Sequence, residues 1–199
     1  MEPFHYPATT HVRRHGPKGY SSPAGFRPWV RDEFAFRCVY CLCREAWSRV
    51  PGMYGIEHFQ PVAHRPELVT EYDNLLYACA ACNTIKRAED VPDPLDVLTA
   101  AGVEIRADGA LVAKSNESAW LIDKLRLNHP KCREFRKLWM GIVRITKEHD
   151  SDVYRQLMGF PDDLPDLKRL KPPEGNTRSD GVEQSCYEQR KRGKLPDTY

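Results

Sequence analysis

The sequence predicts an α+β protein, a small core stapled by zinc with a helical extension on its C-terminal side, and three observations carry that prediction. Two Cys-x-x-Cys pairs, Cys38/Cys41 and Cys79/Cys82, each place two thiolates on one tight turn, which is half of a tetrahedral zinc shell. Apolar residues alternate on both sides of Asp108-Gly109 in the stretch from Val103 to Lys114, and Asp-Gly favours the positive backbone angles of a hairpin turn. From Cys132 to Ile145 apolar residues recur at steps of three and four, the period of an amphipathic helix.

Taken in chain order, residues 1–28 are rich in Pro, Gly, His and Arg without apolar periodicity and read as an irregular basic arm. Trp29, Val30, Phe34 and Phe36 fall at near-helical spacing, so a short helix is expected ahead of the first cysteine pair. Beyond the hairpin, Ser115 and Asn116 are N-cap candidates for a helix through Trp120, Ile122, Leu125 and Leu127. Pro130 can open the next helix, where Cys132, Phe135, Leu138, Trp139, Ile142, Val143 and Ile145 form a broad apolar face expected to pack on the core. Pro161, Pro165 and Pro172-Pro173 then break helical continuity, and Glu174 to Gln184 reads as a flexible linker. The expected division is an arm at 1–28, a core at 29–95, a hairpin and helical extension at 96–160, and a Pro-rich basic tail at 161–199.

Composition narrows the class. A chain of 199 residues with 41% hydrophobic and 29% charged residues can bury one core of ordinary size. The longest apolar run, Leu75 to Cys82, is far shorter than the roughly 18 residues of a membrane span. The N-terminal residues lack a secretory pattern, which predicts a soluble, cytoplasmic protein. Seven cysteines in a reducing compartment then point to a metal rather than to disulfides. The net charge of +2 names no partner, but both ends are basic: residues 1–31 hold five Arg/Lys against one Glu, and residues 168–194 hold eight against four acidic residues. Such ends are either solvated tails or arms that track phosphates.

Cys38, Cys41, Cys79 and Cys82 are the expected zinc ligands; Cys43 competes with Cys41 on spacing alone, and Cys132 and Cys186 read as ordinary thiols. A closed four-thiolate shell leaves no position for water or substrate, so this zinc would brace the fold and the chemistry must lie elsewhere.

Between the pairs lies Gly55-Ile56-Glu57-His58-Phe59-Gln60-Pro61, then Tyr72-Asp73-Asn74-Leu75-Leu76-Tyr77-Ala78, and directly after Cys82 comes Asn83-Thr84-Ile85-Lys86-Arg87. This order resembles the HNH endonuclease family over about residues 38–90, with Glu57 where Asp is commoner and Asn83 where His would complete the name. A weaker likeness extends through Asp93-Pro94 and Leu125 to Asn128, a region similar to the C-terminal helices of standalone HNH proteins, some in bacterial anti-phage systems. The resemblance implies a ββα-metal core, two antiparallel strands and a helix around one catalytic cation. It makes His58 the general base toward water, Glu57 and Asn83 oxygen ligands of Mg2+ or Mn2+, and Asn74 the residue that steadies the loop and orients the histidine. Lys86 and Arg87 follow on the presumptive helix as candidate phosphate contacts. Strand neighbours point to opposite faces, so Glu57 and His58 can share a site only where the strand twists or ends, which Gln60-Pro61 would bring about. His64 is a second candidate base.

These readings predict a metal-dependent endonuclease that hydrolyses a nucleic-acid phosphodiester, with DNA as the expected substrate and phage or plasmid defence as the expected setting. The alternative is a non-catalytic zinc-binding module that presents basic residues to nucleic acid. A partner ATPase or other defence subunit docked on the helices from Asn116 to Phe160 is a further expectation.

Overall fold

In the computed structural model, which describes residues 2–48, 50 and 52–199, two small antiparallel sheets are packed among seven helices. Helix α1 (Arg27–Glu33) precedes the first cysteine pair, as its apolar spacing predicts, and buries Trp29 and Val30 completely. Strands β1 (Tyr54–His58) and β2 (Leu75–Cys79) pair antiparallel from Tyr54↔Cys79 to His58↔Leu75, and α2 (Ala80–Lys86) follows β2 without a loop. This is the two-strand-and-helix core that the resemblance implies, and the fold class is α+β. Leu75, Leu76, Tyr77 and Ala78 are all buried, so β2 is covered on both faces within the main core and reads as a continuous apolar run rather than an alternating one.

A short helix α3 (Pro94–Val97) leads to the hairpin β3 (Val103–Ile105) and β4 (Leu111–Ala113), whose turn sets Gly109 at φ 82. Helix α4 (Asn116–Lys124) opens on a capping box in which the Ser115 side chain accepts from the Ser118 N–H. The 20-residue α5 (Pro130–His149) lies across hairpin and core. Its buried Arg136 donates to the Gly109 carbonyl at 2.6 Å and the Leu127 carbonyl at 2.7 Å, and its Trp139 stacks on Trp47 with ring centroids 4.2 Å apart. The expected packing of its whole apolar face is corrected here. Val143 is buried, but Leu138 and Ile145 are 61% and 56% exposed, because no other described element covers that side. Helix α6 (Ser151–Met158) ends the extension, and α7 (Cys186–Lys191) lies in the last segment.

The two basic ends fold back onto the core. Phe4 and Tyr6 are buried, and the Tyr6 hydroxyl donates to the Tyr40 carbonyl at 2.8 Å. Residues 174–184, read from the sequence as a linker, are instead fastened to the N-terminal arm. Lys18 N donates to Gly175 O at 2.9 Å, Gly16 N to Asn176 Oδ1 at 2.9 Å, and Arg178 Nη1 to His15 O at 2.8 Å. Polar composition hid this segment because backbone and side-chain hydrogen bonds, rather than apolar area, hold it. A side chain at Gly181 would overlap the Arg14 carbonyl, so glycine there permits the close approach. Phe36, Leu164, Cys186 and Tyr199 form a second small core beneath the C-terminal segment. No helix among the described residues is long and apolar enough to cross a membrane.

Candidate active site and metal centre

The first cysteine turn is closed by Cys38 N donating to Cys43 O and Leu42 N donating to Cys38 O, both at 3.0 Å. Leu42 takes a left-handed conformation, φ 61, strained for a bulky residue and held there by burial. Val39 N donates to Tyr77 O at 2.9 Å and so lays this turn beside β2. The second pair sits at the junction of β2 and α2: Cys79 ends the strand and caps the helix, and Cys82 lies in the first helical turn. The four sulfurs lie within 4.8 Å of one another, with Cys41 Sγ and Cys79 Sγ 3.7 Å apart. A regular tetrahedron with metal–sulfur bonds of about 2.3 Å has edges of roughly 3.8 Å, so the cluster has the dimensions of a four-thiolate shell and could hold a metal ion such as zinc. Burial pushes the Cys38 thiol well up, which a bound dication would reverse. Cys43 stands outside the group and contributes its carbonyl to the turn; Cys186 is buried elsewhere, its thiol pushed up to about 12 by burial.

His58 ends β1, where the strand was expected to stop. Its Nε2 lies 3.0 Å from the Val69 carbonyl, so Nε2 carries the proton and, in the neutral ring, Nδ1 bears the free lone pair. The loop that carries Val69 is held by Asn74, which bonds its neighbour Leu68. The Asn74 side chain accepts from Gln60 N at 2.8 Å and donates to Gln60 O at 3.1 Å and Leu68 O at 3.3 Å, binding both ends of the loop between β1 and β2.

Glu57 leaves the strand in a different direction from His58 and turns beneath α2. It is 4% exposed, and Lys86 Nζ, on a fully buried residue, stands 2.7 Å from its Oε1. The two form a close, buried ion pair. Burial raises the Glu57 carboxyl, and Lys86 opposes that rise. Lys86 Nζ also donates to the His58 carbonyl at 2.9 Å, so one ammonium bridges two consecutive motif residues. The expectation that Lys86 contacts flanking phosphates is therefore corrected, because its charge is used inside the core. The signal was available: Lys86 lies four residues after the buried Cys82, on the same helical face. Asn83, one turn before Lys86, is half-buried, and its side chain makes no hydrogen bond among the described residues. Arg87 is exposed at the helix end, and the His64 ring lies on the surface 3.1 Å from Asp90.

As donors, a carboxylate and an amide oxygen suit a hard divalent cation. In charge, the site is already satisfied, because Lys86 neutralises Glu57.

Sequence reading missed the braces around Asn74. Arg13, in the N-terminal arm, donates to Leu75 O at 2.6 Å and Asp73 O at 3.3 Å, while Arg178 grips the Asp73 carboxylate with both terminal nitrogens at 2.8 and 2.9 Å. Their partners are main-chain carbonyls and a loop carboxylate, which no local spacing announces.

Residues 38–89 match the family model described as HNH endonuclease, a segment that contains both cysteine pairs and every motif residue described above. No curated protein matches the chain.

Proposed function

Starting from an HNH endonuclease segment at residues 38–89, which ties the chain to nuclease or other nucleic-acid chemistry, we propose that the protein hydrolyses a nucleic-acid phosphodiester, DNA in the first instance, with His58 as general base. The observation that carries this reading is the His58 tautomer. With Nε2 donating to Val69 O, the ring offers Nδ1 to an attacking water, and the Asn74-bound loop keeps that orientation. A hydrolytic base needs both features, a fixed ring and an unprotonated nitrogen. When bound at the oxygens of Glu57 and Asn83, Mg2+ or Mn2+ would offset the charge that develops on phosphate. Arg87, exposed beyond α2, would meet a flanking phosphate in this reading. The four cysteines hold zinc in this reading and brace the hairpin against α2. The setting we favour is defence against phage or plasmid DNA, with a partner ATPase or other defence subunit sought by co-elution.

The test is plasmid nicking by the zinc-loaded protein with magnesium or manganese. His58→Ala should lower the rate by about 10²–10⁴-fold with zinc content unchanged. Undiminished nicking would rule out His58 as the base.

The neutral Glu57–Lys86 pair favours a second reading, a zinc-braced module that binds nucleic acid without cutting it. That reading predicts salt-sensitive binding that survives His58→Ala, and no cleavage under any metal.

A further inference from the structure

Where the N-terminal arm meets the last segment, the chain frames a cavity of about 450 Å³. The arm gives it Pro7, the turn after α1 gives Phe34 and Arg37, α3 gives Leu95, and the C-terminal side gives Phe160 and Leu195. Its size is that of a small-molecule site, and so is its make-up of apolar walls with few polar groups. It shares no residue with Glu57, His58, Asn74 or Asn83.

One cation in that wall is unmatched. Arg37 is half-buried, and its side chain makes no hydrogen bond or ion pair among the described residues; its Nη1 is shielded from water without an acceptor. A guanidinium carries five N–H donors, and the stacking of Arg37 over the Tyr199 ring, 5.4 Å from the centroid, satisfies none of them. Arg44 faces Arg37 across an isolated antiparallel bridge and donates to the main-chain oxygens of Met158 and Tyr199, so two positive charges stand side by side with no acidic side chain bonded to either. The one carboxylate in the cavity wall, Glu33, is engaged elsewhere: it accepts from His11, from the N–H groups of Arg14 and His15, and from the Tyr72 hydroxyl. The backbone is strained at the same place. Ala35, also in the wall, and Phe36 hold left-handed angles in succession, φ 48 and 57, a conformation costly for residues with a Cβ, and Arg37 is the next residue.

We propose that this cavity binds a small organic anion, a single carboxylate or phosphate head on an apolar body, with the head on Arg37 and the body against Phe34, Leu95, Phe160 and Leu195. A wholly apolar ligand would leave the guanidinium donors unanswered, and a bare inorganic anion would leave the apolar walls facing water. One free guanidinium matches one head group rather than a polyphosphate chain. Because the walls come from both ends of the chain, the bound molecule ties the arm, the turn before Cys38 and the last segment together, and its binding raises the melting temperature.

The experiment titrates anilinonaphthalene sulfonate, an anionic head on an aromatic body, into folded, zinc-loaded protein and follows its fluorescence. Naphthoate, naphthyl phosphate and the neutral naphthalene methanol serve as competitors. The expected result is one saturable site, released by naphthoate or naphthyl phosphate but not by naphthalene methanol, and weakened at least about tenfold in Arg37→Met. Leu95→Trp, which fills the cavity and leaves Arg37 in place, should abolish binding. The anion that releases the dye more readily identifies the head as carboxylate or phosphate. Absence of binding, binding unchanged in Arg37→Met or in Leu95→Trp, or release by the neutral alcohol as readily as by the anions would each overturn the proposal. Should Arg37→Met fail to fold, the contrast between anionic and neutral competitors on the wild type, with the loss in Leu95→Trp, decides.

Discussion

Replacing Asn74 with alanine deletes three hydrogen bonds at once, because one amide serves both main-chain atoms of Gln60 and reaches Leu68. A loss of roughly 2–3 kcal/mol in urea unfolding is expected, with nicking impaired less than in His58→Ala, since the ring survives and only its support is loosened. Glu33 offers a test of a different kind. Burial alone would raise its carboxyl, yet His11, the Arg14 N–H and the charges of His15 and Arg14 bring it down to about 2. A carboxyl depressed on folding contributes stability that is complete above its ordinary value near 4.5 and is lost as pH falls from there toward 2. Thermal melts across that window should show an acid-side loss of about 3 kcal/mol at most, which Glu33→Gln flattens.

At the scale of elements, the features read correctly from sequence are those fixed by neighbours along the chain. The Asp108-Gly109 turn, the Ser115 cap, the short helix from Arg27 and the paired cysteine turns all answer to residues within a few positions. What failed was inference about cover. Period identifies which residues of α5 share a face, but not whether a second element lies against it, and the same gap hid the burial of Lys86 and the docking of residues 174–184. The difference is measurable. Leu138→Asn should change stability by no more than about 0.5 kcal/mol, whereas Leu121→Ala, on the buried side of α4, should cost about 2–5 kcal/mol by urea titration.

Over the whole molecule, the four-sulfur cluster joins the first cysteine turn to the β2–α2 junction, so stripping the metal with a chelator should lower the melting temperature and release Tyr40 and Tyr77 from burial, as followed by tyrosine fluorescence. A chain shortened after residue 173 should keep its metal but unfold at lower urea, because the contacts of residues 174–184 with the arm are then missing. The bidentate grip of Arg178 on Asp73 reaches across 105 positions of chain, from the last segment to the residue beside Asn74. On the ribosome, therefore, the motif emerges long before its brace. The loop beside His58 gains its final support only after residue 178 has left the exit tunnel, so the two halves of that brace meet well after the motif itself has been exposed.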